Sequence, residues 1–441
     1  MKKVYLETFG CQMNVSDSER VATLLETKGF EITSNEKFAD VILFNTCSVR
    51  EKAEHKLYTR VGQVSNSTEK KPIVGVMGCV AQLEGETLFQ QNRGIDFILG
   101  TKAIGRTDEA INEVFRKGKK VIDLGEREEN YDWSVSESQR QTQHIAFVPI
   151  IEGCNKFCTY CIVPFSRGRE KSLLASDIIR EVLELKSKGI KEIHLIGQNV
   201  NSYRPKLESG LELFKGATPF SRLLRAVAAT GMDRIKFTTS FPRDFHPDIV
   251  KAIDEHQNLC NWVHLPVQSG SNRILKAMRR GHTIESYLQR IDIIKNSPRN
   301  ISLTTDIIIG FPGETLEDFE ATKQLVEYCQ YDSAYTFRYS IRKGTPSAEM
   351  KDDVTFEEKT RRFLELEKIQ KSIQDNILAG YVNKSVEVLV ERKNLKYENQ
   401  FTGHTTCHKV VNFQGNPDLL GKIINVRITE NKSNTLYGVV L

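Results

Sequence analysis

The chain has 441 residues, 39% hydrophobic and 27% charged, with 62 Lys and Arg against 57 Asp and Glu for a formal charge of +5. That length supports two or three domains with cores of their own, and no apolar run approaches what a bilayer span requires. Nine cysteines, an odd number, follow an opening Met1-Lys2-Lys3-Val4-Tyr5-Leu6-Glu7 that has no secretory apolar run, which argues against a disulfide framework and for a reducing, cytoplasmic setting.

The first segment alternates two periodicities. Val4–Phe9 reads as a strand, Asp17–Lys28 as a helix with Val21, Leu24 and Leu25 on its apolar side, Val41–Phe44 as a strand, and 49–64 as a charged helix. Ile73–Met77 then reads as a strand, with helical pattern from about Ala81. This βαβα order implies a parallel α/β sheet over residues 1–125. Cys11, Cys47 and Cys79 each fall just past a strand end, where open α/β folds collect ligands. Three small buried hydrophobes would be the structural alternative.

Residues 126–143 are polar and without apolar period, as expected of a linker. Six strand patterns follow, at 147–151, 192–196, 234–238, 262–267, 302–309 and 334–339, with helical patterns between them, including Ser176–Gly189 with a capping Ser. Six β/α units over residues 144–377 imply a partial (β/α)6 barrel with its chemistry at the carboxyl ends of the strands. A long helix is expected from Thr355 to about Leu378. Residues 378–441 carry five short β-branched segments, at 386–390, 400–402, 409–411, 422–428 and 436–440, which suit a small all-β, OB-like barrel. This tail has eight Lys or Arg against five Asp or Glu, a balance equally compatible with an ordinary surface and an RNA-binding face.

Cys154-Asn-Lys-Phe-Cys158-Thr-Tyr-Cys161 follows the first barrel strand. Three thiolates on one loop can hold three corners of an iron–sulfur cube and leave the fourth iron open. Structural zinc would need a fourth ligand, and His144 and His194 stand at no familiar spacing.

With both cysteine triplets placed, the chain resembles the radical S-adenosylmethionine methylthiotransferases over its whole length. Thr8-Phe9-Gly10-Cys11-Gln12-Met13-Asn14, Asn45-Thr46-Cys47-Ser48-Val49-Arg50-Glu51-Lys52-Ala53 and Gly197-Gln198-Asn199-Val200-Asn201-Ser202-Tyr203 resemble the branch that acts on N(6)-dimethylallyladenosine in tRNA. Arg169-Glu170-Lys171-Ser172-Leu173-Leu174 departs from it, since relatives more often carry Ser-Arg-Pro there.

The resemblance implies two iron–sulfur clusters of 4Fe-4S type, one on Cys154, Cys158 and Cys161 and an auxiliary one on Cys11, Cys47 and Cys79. It implies a TRAM domain at the carboxyl end, S-adenosylmethionine as cofactor, and Tyr160 near the cofactor's adenine. Further candidate cofactor contacts at strand ends are Gln198, Asn199, Gln268, Ser269, Gly310 and Gly313, although Gly310–Glu314 also reads as a tight turn. The adenine carbon-2 hydrogen is neither acidic nor attached to a leaving group, so its replacement by a methylthio group calls for one-electron chemistry carried by a cofactor. The expected partners are the tRNA anticodon stem-loop and an external electron donor, with a monomeric chain and no membrane. Rival readings are the same chemistry on threonylcarbamoyladenosine tRNA or on a ribosomal-protein aspartate, and an RNA-binding iron–sulfur protein without turnover. Arg338 and Arg342 could meet RNA phosphate or form surface ion pairs, and Cys260, Cys329 and Cys407 belong to neither triplet.

Overall fold

The computed structural model describes residues 1–48, 51–65, 71–125, 135–395 and 397–441, and of residues 51–53 the backbone only. The chain divides into two compact units. The first comprises Met1–Gln141 with Glu152–Asn155 and Cys161–Glu170, the second Thr142–Ile151, Lys156–Tyr160 and Lys171–Leu441.

The first unit is built on parallel strands β1 (Lys3–Phe9), β2 (Glu31–Ile32), β3 (Val41–Thr46), β4 (Ile73–Gly78), β5 (Phe97–Leu99) and β6 (Val121–Asp123), in the order β2-β1-β3-β4-β5-β6. Helices α1 (Gln12–Thr27), α2 (Glu51–Ser65), α3 (Cys79–Glu84) and α4 (Thr107–Lys117) accompany it. Along β3, Val41 and Leu43 pack in one core with Val21, Leu25 and Ile111, while Ile42 and Phe44 pack in another with Leu57 and Val61. Both faces are covered, which is why this strand reads as an unbroken apolar run.

The expected α/β sheet is present, with differences in its parts. β2, β5 and β6 were not expected; at two or three residues each they carry too little pattern to read. α1 begins at Gln12 rather than Asp17. Asn14, Ser16, Asp17, Ser18 and Glu19 are polar, yet all are buried. Of the helix expected over 49–64, residues 49 and 50 lie outside the described residues, and α2 starts at Glu51. Of the polar stretch 126–143, residues 126–134 lie outside the described residues as well. Beyond them Ser136 donates to Glu26 Oε2 at 2.9 Å and the Gln141 amide donates to Glu19 Oε1 at 2.9 Å, so this part is pinned to α1.

The second unit alternates β7 (Ile145–Pro149), α5 (Ala175–Ser187), β8 (Glu192–Ile196), α6 (Pro219–Ala228), β9 (Arg234–Phe237), α7 (Pro247–Glu255), β10 (Trp262–His264), α8 (Ile284–Lys295), β11 (Ser302–Ile309), α9 (Leu316–Cys329), β12 (Ser333–Arg338) and α10 (Phe356–Ala379). The six strands are parallel, as expected of six β/α units, and form two three-stranded sheets, β9-β8-β7 and β10-β11-β12. Regular pairing lapses between β9 and β10, where an isolated bridge from Ile235 to Leu259 replaces it. Ile193, Leu195, Ile235, Phe237, Val263 and Leu265 pack on the helices. The alternate positions Glu192, His194, Arg234, Lys236 and His264 are polar and buried on the opposite face. α5 is capped by Leu174, with Ser176 already inside the helix, and Gly189 closes it at φ +85°. α10 starts at its expected cap, Thr355, whose side chain accepts from the Glu358 amide.

The tail closes a five-stranded barrel from β13 (Ser385–Lys393), β14 (Gln400–Thr405), β15 (Val410–Gln414), β16 (Ile423–Lys432) and β17 (Thr435–Val440), in the order β13-β14-β15-β17-β16. All five expected segments are strands. This barrel docks on the polar face of the central strands: Arg234 Nη1 donates to His404 O at 3.0 Å, and Lys409 Nζ reaches Ser302 Oγ at 2.7 Å and also the Asp332 carboxylate. Among the described residues no helix is long and apolar enough to cross a membrane.

Candidate metal centres

Strand register brings Cys11, Cys47 and Cys79 to one edge of the first unit. Phe9 pairs with Thr46 and Thr46 with Gly78, so the three adjacent strands β1, β3 and β4 end level. Cys47 follows β3, Cys11 caps the amino end of α1, and Cys79 is the first residue of α3. Glycine is needed beside them. Gly10 has φ +146°, and a Cβ there would stand 2.4 Å from Cys47 Cβ; Gly78 has φ +97°, and a Cβ there would stand 2.5 Å from Asn45 Oδ1.

A buried amide network holds the same edge. Asn45 Nδ2 donates to Asn14 O at 2.8 Å and to Ser18 Oγ at 2.9 Å, and Asn14 Nδ2 donates back to Asn45 Oδ1 at 3.0 Å. Asn14 Oδ1 accepts the Cys11 thiol at 3.3 Å. The Cys11 thiol is pulled down to about 6, first by a hydrogen bond with Cys47 and further by the Arg167 charge, against the opposing effect of burial. That gives it the thiolate character a metal ligand needs. By contrast burial pushes Cys260 and Cys329 up to about 11, keeping both as neutral thiols.

Arg167 was not singled out in the sequence. Burial alone would weaken its charge, but Asp17, Cys79, Glu152 and Cys11 outweigh that and hold the guanidinium charged. Nη2 lies 2.7 Å from Asp17 Oδ2 and 3.3 Å from Asn14 Oδ1. A lone Arg in a loop carries no pattern that would have found it.

The segment around the second triplet is tightly fixed. In the first unit the Cys154 amide donates to Gly168 O at 3.1 Å, and Gly153, at φ +78°, would place a Cβ 2.3 Å from Arg169 O. In the second unit Arg280 Nη1 lies 3.5 Å from Cys158 Sγ, with Nη2 donating to Pro266 O at 2.6 Å and its plane 4.4 Å from the Phe241 ring. Thr159 donates to Met278 O and Ala277 O. Among the described residues no three His, Cys, Asp or Glu side chains stand where they could share one metal ion. A cluster differs from a single ion in taking one thiolate to each iron. Both triplets are thiol-only donor sets of three, which suit a cluster with an open iron better than structural zinc. His194, one of the two spare zinc candidates, is held by Glu192 Oε1 at 2.5 Å.

Four of the candidate cofactor contacts gather at the ends of β10 and β11. Gln268 bridges to Ile307 and Ser269 is fully buried. Gly310 and Gly313, at φ +70° and +79°, form the turn after β11. The amides of that turn are taken, Gly310 by Glu314 Oε2 at 2.8 Å and Gly313 by Asp353 Oδ1 at 2.7 Å, so the turn is held structurally by the Glu314–Arg362 pair. Tyr160 packs against the cluster of Ile274, Met278, Phe311 and Tyr339. Gln198 and Asn199 follow β8, in the other three-stranded sheet. Thr238, Thr239 and Ser240, after β9, were not expected: the Thr238 and Ser240 hydroxyls are buried without hydrogen-bond partners among the described residues, and Thr239 sits at φ +71°. A β-branched residue at positive φ marks a site where backbone strain is tolerated, and only structure reveals it. Arg338 stacks on Phe356 at 4.7 Å and donates to Thr360 Oγ1 at 2.8 Å. A cleft of about 530 Å³ beside the ends of β8 and β9 is lined by Arg204, Arg243, His246 and Arg290, with Asp244 as its one carboxylate.

Three family models match in chain order: uncharacterized protein family UPF0004 over residues 3–100, the radical SAM superfamily over residues 148–326 and the TRAM domain over residues 380–441. A tRNA-2-methylthio-N(6)-dimethylallyladenosine synthase of Carboxydothermus hydrogenoformans is 43% identical, covering 100% of this chain and 99% of its own. One of Clostridium tetani is 44% identical over 98% of this chain and 95% of its own. The chain belongs to the tRNA-2-methylthio-N(6)-dimethylallyladenosine synthase family. It is therefore a radical S-adenosylmethionine enzyme, with iron–sulfur and S-adenosylmethionine as the cofactors of that superfamily. Solved structures share the fold: the radical S-adenosylmethionine methyltransferase TsrM of Kitasatospora setae, with cobalamin and a [4Fe-4S] cluster bound, has TM-score 0.57 at 13% identity, covering 79% of this chain and 74% of its own. OxsB, a cobalamin-dependent S-adenosylmethionine radical enzyme, has TM-score 0.52 at 13% identity over 84% of this chain and 56% of its own.

Proposed function

We propose that this chain converts N(6)-dimethylallyladenosine at position 37 of tRNA, next to the anticodon, to its 2-methylthio derivative, using two molecules of S-adenosylmethionine. The observation that carries the reading is the level ending of β1, β3 and β4, which gathers Cys11, Cys47 and Cys79 in a chain whose full-length relatives bear that activity in their names. Cys154, Cys158 and Cys161 are read as ligands of a 4Fe-4S cluster with one open iron, and Cys11, Cys47 and Cys79 as ligands of a second cluster. When bound, these clusters and S-adenosylmethionine supply the one-electron chemistry, the sulfur and the methyl group that carbon-2 substitution requires.

The chain's own residues bind, orient and exclude water. Gly10 and Gly78 let the backbone close on the first triplet, and the Asn14–Asn45 network fixes the spacing of Cys11 and Cys47. Tyr160, packed on Met278 and Phe311, offers an aromatic face for the cofactor's adenine, and Gln198, Asn199, Gln268 and Ser269 offer polar contacts at strand ends. Gly310 and Gly313 shape the wall beside them. The C-terminal barrel and the Arg204, Arg243 and Arg290 cleft supply cationic surface for the anticodon stem-loop. The reading includes a flipped-out base, an external electron donor, a monomeric chain and a cytoplasmic setting. The domain limits in it are 1–125, 144–377 and 378–441, with 126–143 as linker.

The deciding experiment offers the reconstituted enzyme, under anaerobic conditions, three acceptors at equal concentration: tRNA with dimethylallyladenosine, tRNA with threonylcarbamoyladenosine, and a ribosomal-protein peptide containing aspartate. Mass spectrometry should find the methylthio group on the first alone. Its appearance on either of the others in preference would overturn the substrate assignment, and cofactor cleavage absent under strong reductant with both clusters intact would overturn the enzymatic one.

A further inference from the structure

We propose that Arg167 and Asp17 form a buried charge pair whose members bias the reduction potential of the N-terminal cluster in opposite directions, the guanidinium raising it and the carboxylate lowering it. The inference rests on the reading that Cys11, Cys47 and Cys79 ligate a cluster, and it concerns what surrounds that cluster.

The pair is almost solvent-free, with side-chain exposures of 2% for Arg167 and 4% for Asp17, and Nη2 stands 2.7 Å from Oδ2. The same nitrogen donates at 3.3 Å to Asn14 Oδ1, the atom that accepts the Cys11 thiol at 3.3 Å. Nη1 faces Glu152 Oε1 at 3.5 Å, but Glu152 is 28% exposed and its charge is screened by water. Arg167 thus reaches Asp17, Asn14 and Glu152 with one rigid fork, which a lysine could not do. All of these residues lie within the first unit.

Stability alone is a weak reason for the pair. A buried ion pair recovers its desolvation cost poorly, and apolar residues of similar volume commonly serve a core as well or better. What the pair provides is a fixed dipole at a site where charge changes. Three thiolates on iron make an anionic centre, and adding one electron makes it more so; net charge and hydrogen bonding nearby set the potential at which that electron enters. In a poorly screened interior a cation on one side and a carboxylate on the other act with opposite sign.

That opposition separates the proposal from a purely structural role. If the pair only pins Phe165–Gly168 to α1, removing either member loosens the same contact and any shift in potential has the same sign. The test uses the full-length chain with Cys154→Ala, Cys158→Ala and Cys161→Ala, so that only the N-terminal cluster is reconstituted, and follows reduction by electron paramagnetic resonance against a potential series. Asp17→Asn, which keeps the side-chain shape, should raise the midpoint; Arg167→Gln should lower it; the double variant should return close to the parent. Shifts of one sign in both single variants, or none in either, overturn the proposal. Should Arg167→Gln fail to retain iron, Asp17→Asn decides alone: a raised midpoint supports the pair's role, and an unchanged or lowered one refutes it. A parent that binds no iron would remove the cluster reading itself, and the proposal with it.

Discussion

Asn45→Ala should empty the N-terminal site without touching a cysteine. Asn45 is fully buried, donates to Asn14 O and Ser18 Oγ at 2.8 and 2.9 Å, and accepts from Asn14 Nδ2 at 3.0 Å. Truncation orphans the Asn14 side-chain amide, at about 1–3 kcal/mol, and removes two further bonds at about 1 kcal/mol each, a total of about 3–5 kcal/mol. Ser18 keeps its Thr8 contact at 2.7 Å, so it adds no second orphan. The loss falls on the link between α1, which Cys11 caps, and the end of β3, which Cys47 follows. Hydrogen exchange resolved by peptide should quicken in α1 and β3 by about two to four powers of ten while α8 and β11 stay as they were. Iron after anaerobic reconstitution should fall towards the content of a single cluster. Full iron with unchanged exchange would show that the amide network does not hold these loops, and the geometric account of the site would be wrong.

Other consequences are equally direct. Cys79→Ala should lower bound iron without abolishing it, keep 5′-deoxyadenosine release and lose methylthio product; unchanged iron content would sink the auxiliary assignment. Burial holds the Lys236 ammonium down to about 8, against an ordinary 10.5, with its Nζ 4.1 Å from the Trp262 ring centre. The unfolded chain therefore binds more protons between those values, so stability rises with pH across that window and the full penalty is present below about 8. Lys236→Met should stabilise the chain at pH 7 by up to roughly 3 kcal/mol in urea titration and lose that advantage near pH 10.5; destabilisation at pH 7 would mean that the ammonium is well paired. Arg204 has no ion-pair partner among the described residues, and Arg204→Gln should reduce the slope of tRNA affinity against log salt by about one. An unchanged slope removes that residue from the RNA contact.

Sequence spacing disclosed the cysteines, the six central strands and the five-stranded tail because each rests on a repeated local signal: thiol spacing, β/α alternation or short β-branched runs between turns. Buried polarity was invisible. Asn14, Asp17 and Glu19 are buried in α1, and a sequence carries no mark distinguishing a polar residue that meets water from one that meets another chain segment. Arg167 and Arg280 were missed for the same reason, as each acts through partners distant in sequence, Asp17 and Cys158. The short strands β2, β5 and β6 fell below the length at which alternation can be read. Thr239 and Gln268, at φ +71° and +79°, carry strain that no composition rule foresees.

This chain replaces a carbon-2 hydrogen of a tRNA adenosine by radical abstraction. The most direct measurement supplies tRNA whose dimethylallyladenosine bears deuterium at carbon 2 to the reconstituted enzyme with S-adenosylmethionine and a strong reductant, and follows the label by mass spectrometry. Deuterium should appear in 5′-deoxyadenosine as the methylthio nucleoside forms. Methylthio product accompanied by unlabelled 5′-deoxyadenosine would contradict the account.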